Sequence, residues 1–240
     1  MMKAALTTEP GRISIVDREI PRIKEDEVLI KIEHVGVCGS DLHYYEYGRI
    51  GDFVVEKPIV LGHEAAGRVV ETGKKVKTLQ KGDLVALEPG ITCGKCEFCK
   101  TGKYNLCPDV EFLATPPYDG AFVEYIAYPE NMCFKLPAGM NTLAGALIEP
   151  LAVGFHAANQ ANAQIGESAV VLGAGCIGLV TLMSLLARGI KEVYVTDLIE
   201  LRLKKAEEIG ALISLPFQKG GLLSFSIIVC KFKTSFIFYC

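Results

Sequence analysis

At 240 residues the chain is long enough for two domains, each with a core of its own. Its net charge of −3 gives no electrostatic reason to expect nucleic acid or an anionic membrane surface as a partner, and no aromatic–basic stripe suggests a zinc-knuckle module. The opening MMKAALTTEPGRISIV has no apolar run behind a basic flank, and the most apolar stretch, 222–238, is broken by Lys231 and Lys233. Neither a signal peptide nor a membrane span is expected. The expected setting is cytoplasmic and reducing, where an odd total of nine cysteines points to metal rather than to disulfides.

In chain order, residues 1–150 read as short β runs with turns: KAALTTEPGRISIV as a hairpin, EVLIKIEHVGV as an alternating strand, then GRVVETG and GDLVALEP. Within this part CGKCEFCKTGKYNLC, residues 93–107, holds four cysteines in the pattern C-x2-C-x2-C-x7-C. Four thiolates from Cys93, Cys96, Cys99 and Cys107 suit a tetrahedral zinc and leave no position open for substrate. Such a site is structural. Gly94, Gly102 and the neighbouring lysines fit a solvated loop that turns about an ion, whereas the usual iron–sulfur spacings differ from this one.

A second set of donors is dispersed: Cys38 in GVCGSDLH (36–43), His63 and Glu64 in LGHEAAG (61–67), and Glu149 in ALIEPLAVGFHA (146–157). Together they make a mixed sulfur, nitrogen and oxygen set of the kind found in catalytic zinc sites with one position open. EPLAVGFHAANQA then reads as a connecting helix. Next comes AVVLGAGCIG and an apolar helical run, with Gly173, Gly175 and Gly178 forming G-x-G-x-x-G between a strand and a helix. Gly173 permits the tight turn, Gly175 the approach of a pyrophosphate and Gly178 close helix–strand packing, with the phosphates at the helix N-terminus. Ile177 lies inside this turn and is counted with it. The next strand, KEVYVTD, ends in Asp197, 19 residues after Gly178. An acid there accepts from a ribose 2′-hydroxyl and repels a 2′-phosphate, so NAD is favoured over NADP, with Arg202 nearby as the opposing feature.

These segments occur in the same order as in the zinc-dependent medium-chain dehydrogenases, and CGSDLHYYEYGRIGDFVV is similar to the sorbitol (polyol) dehydrogenase branch; the resemblance covers residues 1 to about 213. It implies an α/β protein: a GroES-like, β-rich zinc catalytic domain over 1–150, then a Rossmann NAD-binding domain, incomplete over 151–213. By the same likeness Cys38, His63 and Glu64 sit at a catalytic Zn2+, and the four-cysteine loop holds a structural one. Glu149 stands where alcohol dehydrogenases carry a cysteine ligand, and either ligates the metal or holds its water. Ser40 resembles the first relay hydroxyl and His43 the outer base of a proton path; Tyr44, Phe112 and Thr115 match substrate-cleft positions. The implied reaction oxidises a polyol's secondary alcohol to the ketose, with hydride passing to NAD. The alternatives are another zinc alcohol dehydrogenase, acting on threonine or simple alcohols, and a zinc-binding fragment without turnover. The family implies a homo-oligomer, an expectation that does not carry over to a chain with half a nucleotide domain.

The end departs from the pattern. From Ser168 to Cys240 there are 73 residues, whereas a six-stranded Rossmann domain needs on the order of 150. After Glu208 no Asp or Glu occurs in 32 residues, and five of the eleven Phe fall in the last 25. The tail 214–240 is atypical, which suggests a truncated or frame-shifted reading and a poor enzyme; LLSFSIIVC within it has the composition of one further strand.

Overall fold

The computed structural model describes residues 1–216 and 229–231. The chain divides into two compact units, Met1–Glu149 and Pro150–Cys240.

The first unit opens on an antiparallel hairpin, Met2–Glu9 with Arg12–Arg18, and Ile59–Val60 pairs on the other edge of its first strand. A five-stranded antiparallel sheet follows, in the order Tyr125–Pro129, Glu27–Gly36, Glu64–Thr72, Leu84–Leu87, Cys133–Lys135. Its core is built from Val28, Ile30, Val69, Val85, Leu87 and Tyr128, all buried. β-Branched and aromatic residues suit such a pleated, covered surface. The strand Glu27–Gly36 is not the simple alternation expected: Glu27, Val28, Leu29 and Ile30 are buried in succession. This strand is paired on both edges, and both faces of its first half are covered. Glu27 tolerates burial because its carboxylate accepts from the backbone N–H and the ammonium of Lys24, each at 2.9 Å.

The second unit holds three parallel strands, Ser168–Leu172, Glu192–Asp197 and Ile213–Pro216, with the first at one side and the third at the other. The helices Cys176–Ala187 and Glu200–Ile209 are the crossovers. Leu182, Leu185, Val171, Val193, Val195 and Ala206 form the core between them. In the first two of these strands buried positions alternate with more accessible ones, with Ala169, Val171, Val193 and Val195 turned into the core. Val229–Lys231 adds an antiparallel edge beside Ser168–Leu172, with Val171 opposite Val229. The remainder of the expected strand LLSFSIIVC, and most of the tail 214–240, lie outside the described residues. No helix among the described residues is long and apolar enough to cross a membrane.

Candidate metal and dinucleotide sites

Strand pairing in the first unit assembles a donor cluster. The strand Glu27–Gly36 delivers Cys38 just past its end, and Gly36 lies opposite Glu64 in the antiparallel register. Cys38 is also the N-cap of the helix Gly39–Tyr47. Thus Cys38, 25 positions before the adjacent His63 and Glu64, joins them with one ligand atom each within 4.8 Å of one another. His63 and Glu64 are each 7% exposed. The ring of Phe112 lies against His63, with centroids 5.7 Å apart.

The electrostatics of this pocket favour a cation. Burial raises the Cys38 thiol, and burial raises the Glu64 carboxyl against the pull of His63. Burial also pushes Glu149 up to about 7; His63 opposes the shift, while Glu64, Glu88 and Asp41 add to it. Several acids thus crowd a poorly hydrated space with one imidazole to offset them. A dication reverses that balance, and the donor set of one sulfur, one nitrogen and one carboxylate suits zinc. Glu149 is not among the three mutually close donors, although its carboxyl senses both His63 and Glu64.

Asp41 was not singled out from the sequence, yet it ties the cluster together. Its Oδ2 accepts from the backbone N–H of Cys38 at 2.9 Å, and its Oδ1 accepts from that of Gly62 at 2.8 Å. The signal was present in C-G-S-D, an acid at the third helical position behind the cap, which is a capping-box spacing with cysteine as the cap.

Of the other expected residues, Ser40 places its hydroxyl on the Cys38 thiol, and His43 is exposed with its ring 4.8 Å from that of Tyr47. The two share the helix Gly39–Tyr47, one turn apart. Tyr44 is 4% exposed and packs among Ile59, Leu61 and Ala114, while its hydroxyl meets the side chain of Thr115. Its ring is therefore core, and only its tip meets Thr115.

The four-cysteine loop is a closed cage. The sulfurs of Cys93, Cys96, Cys99 and Cys107 all lie within 4.8 Å of one another. Backbone N–H groups of Cys93, Cys96 and Cys99 donate to the sulfurs of Cys107, Cys93 and Cys96, each at 3.4 Å. N–H bonds from Lys95 and Cys96 bring the Cys93 thiol down to about 7. Donors aimed at sulfur stabilise the thiolates that a structural zinc requires. Gly94, at φ 67, makes the left-handed turn that lets the chain double back between the first two cysteines.

In the second unit, Gly173 stands at φ 99 directly after its strand, and its N–H donates to the Thr196 carbonyl at 2.8 Å. A Cβ at Gly178 would overlap the Gly173 carbonyl, whereas a Cβ at Gly175 would meet nothing within 4 Å. The turn is therefore packed at Gly178 and open at Gly175, where a phosphate needs room at the N-terminus of Cys176–Ala187. Ile177 is half-buried in that first turn. Asp197 is 9% exposed; its Oδ2 accepts from Ala174 N–H at 2.7 Å and its Oδ1 from Ile199 N–H at 2.8 Å. Arg202 reaches to 3.8 Å of the same carboxylate. Asp197 thus anchors the glycine turn.

Residues 24–138 match the alcohol dehydrogenase GroES-like domain. The sorbitol dehydrogenase of Bacillus subtilis is 50% identical over 88% of this chain and 60% of its own length. Over the matched residues the chain is similar to the zinc-dependent medium-chain dehydrogenases, on the sorbitol dehydrogenase branch. The bovine sorbitol dehydrogenase is 51% identical over 84% of this chain and 57% of its own length. Among solved structures, an Escherichia coli oxidoreductase of unknown specificity superposes with a TM-score of 0.86 at 47% identity, over 90% of this chain and 63% of that one. The chain spans about 60% of the length of the relatives it matches.

Proposed function

We propose that this protein oxidises a secondary hydroxyl of a polyol to the ketose, holding Zn2+ at Cys38, His63 and Glu64 and NAD at the Gly173–Gly178 turn. The observation that carries the reading is the convergence of those three donors within 4.8 Å in a buried, acid-rich pocket. The balance is CHOH plus NAD+ to C=O, NADH and one proton. When bound, zinc supplies Lewis acidity toward the substrate hydroxyl, and the nicotinamide supplies the hydride acceptor.

The remaining work falls to the chain. Asp41 fixes the Cys38 and Gly62 segments in register. Glu149, outside the close set, is read as the outer carboxylate that holds a water against it. Ser40, on the Cys38 thiol, takes the hydroxyl proton and His43 passes it to solvent, consistent with its exposure. Phe112, against His63, and Thr115 flank the substrate carbons; an aromatic face and a hydroxyl suit a polyol's C–H and O–H faces. Asp197 favours NAD by accepting from the ribose and repelling a 2′-phosphate.

Metal analysis tests the assignment. The purified chain is expected to carry two zinc ions, and Cys38→Ser one, with the fold retained. Two ions in both would remove Cys38 from the metal site.

A further inference from the structure

A glycine in a paired strand has no side chain to pack and loses more conformational freedom than any other residue. Such a glycine needs a reason. Gly36 ends the central strand Glu27–Gly36, and its backbone is not in the left-handed region, so conformation does not explain it. Space does. A Cβ built at Gly36 would overlap Oε2 of Glu64 and lie 3.0 Å from its Cβ and 3.1 Å from its Cδ. The register sets Gly36 directly opposite Glu64, so the glutamate side chain lies across the bare backbone of its partner. There a Glu64 carboxylate oxygen lies within 4.8 Å of the Cys38 sulfur, two residues beyond Gly36.

We propose that Gly36 is a positioning residue: its missing side chain is the slot that holds the Glu64 carboxylate beside Cys38 and His63. The three atoms nearest the added Cβ all belong to the Glu64 side chain. An alanine at 36 therefore displaces the carboxylate and leaves the strand pairing in place. The inference rests on the metal reading above and adds to it the element that aims the carboxylate donor.

The test compares Gly36→Ala, Glu64→Ala and the double variant with the unaltered chain, each loaded with Zn2+ and titrated with a competing chelator. The step belonging to the mixed cluster is the one that Cys38→Ser abolishes. Gly36→Ala is expected to weaken that step about 10–100-fold, as loss of a ligand-orienting neighbour does. It should leave the four-cysteine step unchanged and add nothing to the loss already caused by Glu64→Ala. Unchanged Zn2+ affinity in Gly36→Ala, or an equal loss with and without the Glu64 side chain, overturns the proposal. If the unaltered chain shows no step sensitive to Cys38→Ser, the metal reading fails instead, and thermal unfolding of the chelator-stripped proteins then decides the steric claim by itself. Destabilisation by Gly36→Ala that vanishes in the Glu64→Ala background supports it; destabilisation that is absent or persists overturns it.

Discussion

The carboxylate of Asp41 lies 3.8 Å from Nδ1 of His63, both side chains are buried, and the same carboxylate accepts the backbone N–H groups of Cys38 and Gly62. Two strands that meet only through folding are thereby held at one donor cluster. An asparagine at 41 keeps a single acceptor oxygen, so one of those two N–H groups is left unpaired. Asp41→Asn is expected to destabilise the fold by about 1–3 kcal/mol and to lower Zn2+ affinity about 10–100-fold. Chemical denaturation and chelator competition measure both, and a variant with unaltered zinc affinity removes Asp41 from its positioning role.

Gly175 and Gly178 should separate binding from packing. A Cβ at Gly178 overlaps a backbone carbonyl, so Gly178→Ala is expected to lose about 1–3 kcal/mol of stability. A Cβ at Gly175 meets nothing, so Gly175→Ala should keep its stability to within about 0.5 kcal/mol and yet weaken NAD binding. Calorimetric titration with NAD beside thermal unfolding checks the pair. Equal NAD affinity in Gly175→Ala and the unaltered chain would place the pyrophosphate elsewhere.

An ion that prefers the folded cage at Cys93, Cys96, Cys99 and Cys107 to the unfolded chain adds to stability by mass action. Free Zn2+ at about a thousandfold over its dissociation constant contributes about 4 kcal/mol. Cys96→Ser should abolish most of that increment, and a strong chelator should no longer lower its melting temperature by the full wild-type amount. A chelator effect equal in the two proteins speaks against a structural metal in this loop.

Glu130 supplies a pH dependence away from the metal sites. Burial raises its carboxyl, but N–H and hydroxyl bonds from Thr78, with N–H bonds from Lys77 and Leu79, outweigh it and hold the group below the ordinary value of 4.5. The folded state therefore binds the proton more weakly than the unfolded one. The stabilisation is present above pH 4.5 and is lost as pH falls through the lower folded value. Glu130→Gln should cost about 1 kcal/mol at neutral pH, since the amide still accepts but without charge, and the difference should shrink as pH falls through the lowered folded value. A difference that is constant with pH contradicts this account of the loop.

The parts of this molecule that depend on local spacing were legible in the sequence. The four cysteines lie within fifteen positions, and the glycine turn sits between two apolar runs. Each is one loop whose partners are near in the chain. The mixed cluster was legible only through family likeness, because its members meet by strand register, and register is a property of paired strands. Asp41 and Gly36 act through backbone N–H groups and empty volume, which leave almost no mark on a single sequence. Tyr44 shows the limit in the other direction: at a position expected to line a cleft, its ring is packed among Ile59, Leu61 and Ala114. The strand Glu27–Gly36 departs from alternation because Glu27, Val28, Leu29 and Ile30 are buried in succession, so side chains on both faces of its first half are covered.

NADH formation, followed at 340 nm, reads polyol oxidation at the Cys38 cluster without an intermediate assay. The zinc-loaded protein is supplied with NAD and, separately, sorbitol, xylitol, threonine and ethanol; the ratios between substrates and between proteins are the readout, which a slow enzyme still reports. The account predicts that sorbitol or xylitol is oxidised faster than threonine or ethanol, and that Cys38→Ser abolishes the reaction. Preference for threonine or ethanol, polyol turnover that survives Cys38→Ser, or no turnover on any of the four would contradict it.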